Sequence, residues 1–258
     1  MASVTRKWLK EKLLGPELVY RAYLKFNQGV GGRPEPIRGL RSNGALKSHE
    51  EWEAAAAVGD KAHLPHHRDR SKDWDHLGAV SAILENTNPN DNILDAGAEY
   101  YSNVLPALFL YGYRNLWGIN LGFKFASKRG PIRYEPGDIT RTKFQDSYFA
   151  AASCLSVIEH GVPLEAFFRE LHRVLKPGGI LVTSTDYYPT SIDTRGQLAH
   201  EAPIKIFTKK EVEEMLMMAQ QVGFEPTGEI DLDCTNKPIR WETYDLEYSF
   251  VLFTLRKS

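Results

Sequence analysis

The sequence predicts an α/β protein: a mostly parallel sheet with helices on both faces and an antiparallel last strand, behind a helical N-terminal extension. Three observations predict it. From residue 73 onward, short apolar runs alternate with helical runs, as in a parallel sheet covered on both faces. Only a loop separates the last two apolar runs, so they should pair antiparallel. Before residue 73, apolar residues recur at helical rather than alternating spacing.

Taken in order, Val4, Trp8, Leu9, Leu13, Leu14, Leu18, Val19, Tyr23 and Leu24 follow helical spacing. Gly15-Pro16 divides them into two short helices. Gly29 to Pro36 reads as loop, His49 to Val58 as helix, and the polar, histidine-rich Gly59 to Ser71 as loop. Asp73 is a candidate cap for a helix through Leu77, Val80 and Leu84. Apolar strands follow at Ile93-Leu94, Leu116 to Ile119, Ile132 to Glu135 with Ile139, Phe149 to Val157 and Ile180 to Thr185. Helices are expected at Val104 to Tyr111, at Leu164 to Leu175 and at Lys209 to Val222. Thr208 and Glu211 are spaced as a capping box for the last of these. Phe224 to Leu232 and Ser249 to Leu255 are the closing strands. The domains divide as residues 1–72, an extension or lid, and 73–258.

The 258 residues carry a net charge of −1, which gives no reason to expect a nucleic-acid partner. The charge is uneven. Residues 1–47 hold ten Lys/Arg against three Glu, an excess of seven positive charges. That basic arm either docks on the acidic remainder or is available to an anionic surface. Cys154 and Cys234 are the only cysteines and form no paired motif, so neither a disulfide framework nor a cysteine zinc site is expected. With no apolar run near membrane-spanning length and no signal-peptide core, a cytoplasmic location is expected.

The first strand of the alternating region ends in Leu94-Asp95-Ala96-Gly97-Ala98-Glu99 before a helix. Ligands of open α/β sheets bind beyond such strand ends. A glycine there admits close backbone approach, and the following helix start offers free N–H groups. Gly97 also fits a plain tight turn. The second strand ends at Gly118-Ile119-Asn120, about 25 residues after Asp95, where a ribose reader belongs. Gly137-Asp138-Ile139 follows the third strand, Ser156-Val157-Ile158-Glu159-His160 closes the fourth, and Leu175-Lys-Pro-Gly-Gly179 precedes the fifth.

Together these segments resemble the class I S-adenosylmethionine-dependent methyltransferases, particularly the small-molecule branch with Glu-His after strand four and Leu-Lys-Pro-Gly-Gly before strand five. The resemblance covers roughly residues 73–258. It implies a Rossmann-like seven-stranded sheet and S-adenosyl-L-methionine as cofactor. It places Asp95, Gly97 and Ala98 around the methionine moiety, and Asn120 with Leu121 at the ribose. Asp138 and Ile139 fall at the adenine, and Ser156 with Val157 beneath the sulfonium. Asn120 stands where the family carries a carboxylate, and Glu99 where it carries a glycine. A catalytically degenerate binding protein is therefore the alternative to an enzyme.

For a hydroxyl acceptor the protein must remove a proton. His160 is the first candidate base, since an unperturbed histidine titrates near neutrality, and Asp186 the second. Glu159-His160 also reads as a plain helix start. A metal variant would use Glu159, His160 and His200, but Ser156 replaces a further ligand, so no metal is expected. Tyr187 and Tyr188 sit after strand five, where relatives bind substrate; with Asp186 they suit a small-molecule or glycan acceptor, or they are packed tyrosines of a surface loop. The missing Tyr-x-x-x-Lys set and full glycine loop argue against a nicotinamide oxidoreductase.

Overall fold

The computed structural model describes residues 12–30, 34–199 and 202–258. Residues 3–11 of the first expected helix, the glycine-rich stretch 31–33 and His200 lie outside the described residues. The described part of the extension forms helix α1 (Glu17–Gln28), a two-residue strand β1 (Gly44–Ala45) and helix α2 (His49–Lys61). Ser48 caps α2 by accepting from the Glu51 N–H. The extension is thus not wholly helical: β1 pairs antiparallel with the last strand.

The alternating region runs α3 (Asp73–Asn86), β2 (Asn92–Ala96), α4 (Val104–Leu110), β3 (Asn115–Asn120), β4 (Ser127–Arg129), β5 (Ile132–Pro136) and β6 (Phe149–Leu155). It continues with α5 (Leu164–Val174), β7 (Leu175–Tyr187), the small hairpin β8 (Leu198–Ala199) and β9 (Ala202–Pro203), and α6 (Lys209–Val222). It closes with β10 (Phe224–Pro226), β11 (Ile239–Trp241) and β12 (Leu246–Lys257). The main sheet has the order β1-β12-β7-β6-β2-β3-β5-β4, and β10 and β11 also pair with β12. The core strands β5, β3, β2, β6 and β7 are parallel, and β12 is antiparallel to β7. With β12 and β10 these make the seven expected strands; β1, β4 and β11 are short additions.

Three local readings change. The expected strand Phe224 to Leu232 ends at Pro226, and the chain then loops to β11. Lys-Pro-Gly-Gly does not separate helix from strand. β7 begins at Leu175, opposite Phe149, and the register resumes only at Ala151 opposite Ile180, so the motif bulges out of the sheet. Asp73 does not cap α3; its carboxylate turns back to accept from the His67 N–H at 2.7 Å and ties down the preceding loop. The capping box of α6 forms as its spacing predicts: Thr208 accepts from the Glu211 N–H, and Glu211 accepts from Thr208.

Each face of the sheet carries its own core. One packs α1, α2, α3 and α4 around Tyr20, Trp74, Phe109 and Tyr134. The other packs α5 and α6 around Phe149, Phe167, Phe168 and Phe253. β2 lies between β3 and β6, so the chain winds away from it in both directions. The carboxyl ends of β2 and β6 open a crevice at that switch point.

Candidate active site

Two adjoining cavities occupy the crevice. The outer one, about 330 Å³, is lined by Asn120, Leu121, Asp138, Ile139, Thr140 and Val162 among others. The inner one, about 260 Å³, is lined by residues including Lys72, Glu99, Tyr101, Glu159, Asp186 and Trp241. Gly97, Val157 and His160 line both.

Gly97 is the point where glycine is required. Its φ is +88°, and a Cβ there would lie 2.4 Å from a methyl of Val157. Its N–H donates to the Ile119 carbonyl at 2.8 Å, which draws the turn over the end of β3. Beneath it, Asp95 is buried. Its Oδ1 accepts from the Ser153 hydroxyl at 2.8 Å, while its Oδ2 is buried without a partner. Burial pushes its pKa up to about 7, against the pull of that hydroxyl. Asp95 lines neither cavity, so it supports the turn from below. Ala98 is buried against Gly118 and likewise has no cavity face.

Asn120 reaches the outer cavity but spends its amide elsewhere. Its Nδ2 donates to the carbonyls of Gly97 (3.2 Å) and Ala98 (3.0 Å), and its Oδ1 accepts from the Gly122 N–H. It clasps the Gly97 turn, so it is not poised solely for a ribose. A carboxylate there would face two carbonyl oxygens. Asn120→Asp should therefore weaken ligand binding by about 1–3 kcal/mol, the cost of unmade buried hydrogen bonds. Calorimetry with S-adenosylhomocysteine checks this; equal or tighter binding would show that the clasp is dispensable. Asp138 uses Oδ1 to accept from both the N–H and the hydroxyl of Thr140, which lowers its pKa. Ile139 packs beside it, and Leu121 is exposed on the cavity rim.

The inner cavity has a charged floor. Ser156 sits at the end of β6 with φ +52°, a strained value for a residue with a side chain. Its N–H donates to the Ser184 carbonyl at 3.1 Å, and its hydroxyl accepts from Lys72 Nζ at 2.5 Å. The Lys72 ammonium also lies 3.7 Å from Asp186 and 3.7 Å above the Phe250 ring. Glu159 and Asp75 are buried on either side; Glu159 accepts from Thr185 at 3.1 Å and Asp75 from Ser184 at 2.6 Å. One oxygen each of Asp75 and Asp186 is buried with no hydrogen bond.

One ammonium among three carboxylates leaves excess negative charge in a poorly solvated place. Burial raises the Asp186 pKa to about 6, with Lys72 and the Tyr248 hydroxyl drawing it back. Burial and then the Asp186 charge push Glu159 up to about 8. Burial also raises Asp75. The Glu159–Asp186 pair therefore holds protons more readily than two solvated carboxyls would, while the Lys72 charge favours the ionised form of both. His76, close by, is pushed down to about 3 by burial and stays neutral.

Of the other expected site residues, His160 is exposed where the two cavities meet. Tyr187 is not a substrate contact: its ring is fully buried and its hydroxyl donates to the Leu232 carbonyl. Tyr188 turns away too, with its hydroxyl on the Thr235 carbonyl and Lys237 over its ring. The aromatic walls come instead from Tyr101, Trp241 and Tyr248. Sequence reading missed these, together with His67, Lys72 and Asp75. A polar loop before a helix gives no sign that Lys72 will turn inward. Among the described residues, no group of three or more His, Cys, Asp or Glu is placed to hold a metal ion.

Residues 94–183 match the family described as "Methyltransferase domain". A sterol 24-C-methyltransferase of Neurospora crassa is 30% identical over 118 residues, covering 43% of this chain and 31% of that protein. One of Candida albicans is 27% identical over 119 residues, covering 43% and 31%. The match thus spans about a third of the length of these curated relatives. The solved geranyl diphosphate C-methyltransferase from Streptomyces coelicolor superposes with a TM-score of 0.55 at 18% identity, covering 93% of this chain and 98% of that one. A methyltransferase from Mesorhizobium loti gives 0.52 at 18%, covering 71% and 98%.

Proposed function

We propose that this chain, whose residues 94–183 match a methyltransferase domain, is a class I, Rossmann-like S-adenosylmethionine-dependent methyltransferase that methylates a hydroxyl of a small, polar acceptor such as a sugar or glycan. The observation that carries this reading is the buried Glu159–Asp186 pair facing the inner cavity. The outer cavity suits the adenosine of the cofactor. The Gly97 turn suits its methionine end, since only a glycine leaves room beside Val157. Bound S-adenosylmethionine supplies an electrophilic methyl group.

The protein's own part is alignment, exclusion of water and removal of one proton. Asp186, buried and ionised, accepts the acceptor's hydroxyl proton. Glu159 beside it stays protonated, so the pair is not doubly charged when the acceptor arrives. Lys72 keeps Asp186 ionised by its charge. Tyr101, Trp241 and Tyr248 offer ring faces, while the carboxylates accept from hydroxyls, a combination that recognises polyols. His160, exposed at the junction, is the competing base.

The partial match to sterol 24-C-methyltransferases favours a second reading, methylation at carbon. Incubating the protein with carbon-13 methyl-labelled cofactor and a panel of sugars, phenols and isoprenoids separates the two by NMR. An O-methyl product is expected. A C-methyl product would replace the acceptor class, and cofactor binding without turnover on any acceptor would favour the degenerate alternative.

A further inference from the structure

The outer face of helix α1 is apolar, and among the described residues nothing packs over it. Leu18 is 82% and Phe26 84% exposed, with Ala22 exposed between them at one-turn spacing. The opposite face is already satisfied: Tyr20 and Leu24 are buried, and Tyr20 stacks on Phe109. The helix is thus apolar on two sides, and only one side is needed for folding. Leu13, before the Gly15-Pro16 break, is also 61% exposed. Scattered exposed apolar residues need no explanation, but an aligned stripe marks a contact surface.

What surrounds the stripe indicates what it meets. Lys25 is exposed on its edge. At the N-terminal end of α1, a groove of about 470 Å³ is lined by Lys12, Gly15, Ser127, Lys128, Arg133 and Glu135, among others. In that groove the Arg133 guanidinium lies 4.6 Å over Trp117, and its Nη1 is buried without a hydrogen-bond partner. An apolar stripe bordered by lysine and arginine fits the interface of an anionic bilayer, with side chains in the headgroup–acyl boundary and cations on lipid phosphates. Among the described residues no helix is long and apolar enough to cross a membrane, so the association is peripheral.

We propose that α1 and the basic groove beside it dock the protein on an anionic lipid surface. Leu18, Ala22 and Phe26 enter the interface, and the exposed Lys25 and Lys128 meet phosphate. The inference is independent of the acceptor's identity.

The full chain should co-sediment with phosphatidylcholine vesicles containing about a quarter phosphatidylglycerol, and far less with phosphatidylcholine alone. Raised salt should weaken the association. Leu18→Glu with Phe26→Glu should lower partitioning at least about tenfold, with melting temperature and cofactor affinity unchanged. If the glutamates disturb the helix, Leu18→Ser with Phe26→Ser makes the same test more gently. Equal partitioning on uncharged vesicles, or by the doubly substituted chain, would overturn the proposal. So would a dimer in solution that the substitutions dissociate in the absence of vesicle binding, which would assign the stripe to a second copy.

Discussion

Asn in place of Asp186 is expected to lower turnover about 10²–10⁴-fold, the range for losing a general base. S-adenosylhomocysteine affinity should barely change. Asp186 lies over the inner cavity, and its Oδ1 makes no hydrogen bond, having only the Lys72 charge 3.7 Å away; the substitution removes charge without removing shape. A base works when ionised, so the wild-type rate should climb as pH rises through about 6. Glu159 loses its proton near 8, so a second, smaller change belongs there. Glu159→Gln should erase that change and keep the rise near 6. His160→Ala should stay within about tenfold of wild type, since an exposed rim residue is replaceable by water. The opposite pattern, a dead His160→Ala and an active Asp186→Asn, would move the base to His160.

Lys72→Met is expected to cost about 3–5 kcal/mol of stability near pH 8, as for stripping the partner from buried charge. The side chain is 15% exposed and is the ammonium among Asp75, Glu159 and Asp186. The pH dependence follows from the carboxyls. Folding raises Asp186 from 3.8 to about 6 and Glu159 from 4.5 to about 8. Groups raised on folding contribute fully below their unfolded pKa values, and that contribution fades as pH climbs through the folded ones. Wild-type stability should thus decline from about pH 4 to pH 8 through these two groups. Losing Lys72 raises both pKa values further, so the defect should be deepest at pH 8 and partly relieved at pH 5. Urea unfolding at the two pH values measures it. A defect equal at both would mean that Lys72 acts through packing on Phe250 rather than through charge. Lys72→Arg should retain most of the stability.

Much of the scaffold was legible because periodicity is local. The strands at Ile93-Leu94, Leu116 to Ile119 and Ile180 to Thr185 all form, and the expected antiparallel close forms between β10 and β12, although β11 lies between them in the chain. The Thr208–Glu211 box and the need for glycine at Gly97 were also legible, since each rests on a few adjacent residues. Asn120 lines the outer cavity, where strand-end spacing put a ribose reader, and Asp138 and Ile139, which the family resemblance put at the adenine, line it too.

What the sequence determined by itself is therefore the order of elements, the switch point and the residues at strand ends, because hydrophobic period and turn chemistry act over a few residues. Tertiary structure alone decided which side chains face the crevice. Tyr187 and Tyr188 have the right position, but Tyr187 ends β7 on the face opposite Asp186, in the core, and Tyr188, just past the strand, turns onto a neighbouring loop. Asn120 looks like a ribose reader, yet its amide is spent on Gly97 and Ala98, which only folding brings within 3.2 Å. Lys72 and Asp75 sit 84 and 109 positions from the serines they bond. Burial then moves the pKa values of the carboxyls around them, a shift that depends on lost water and close charge rather than on residue type.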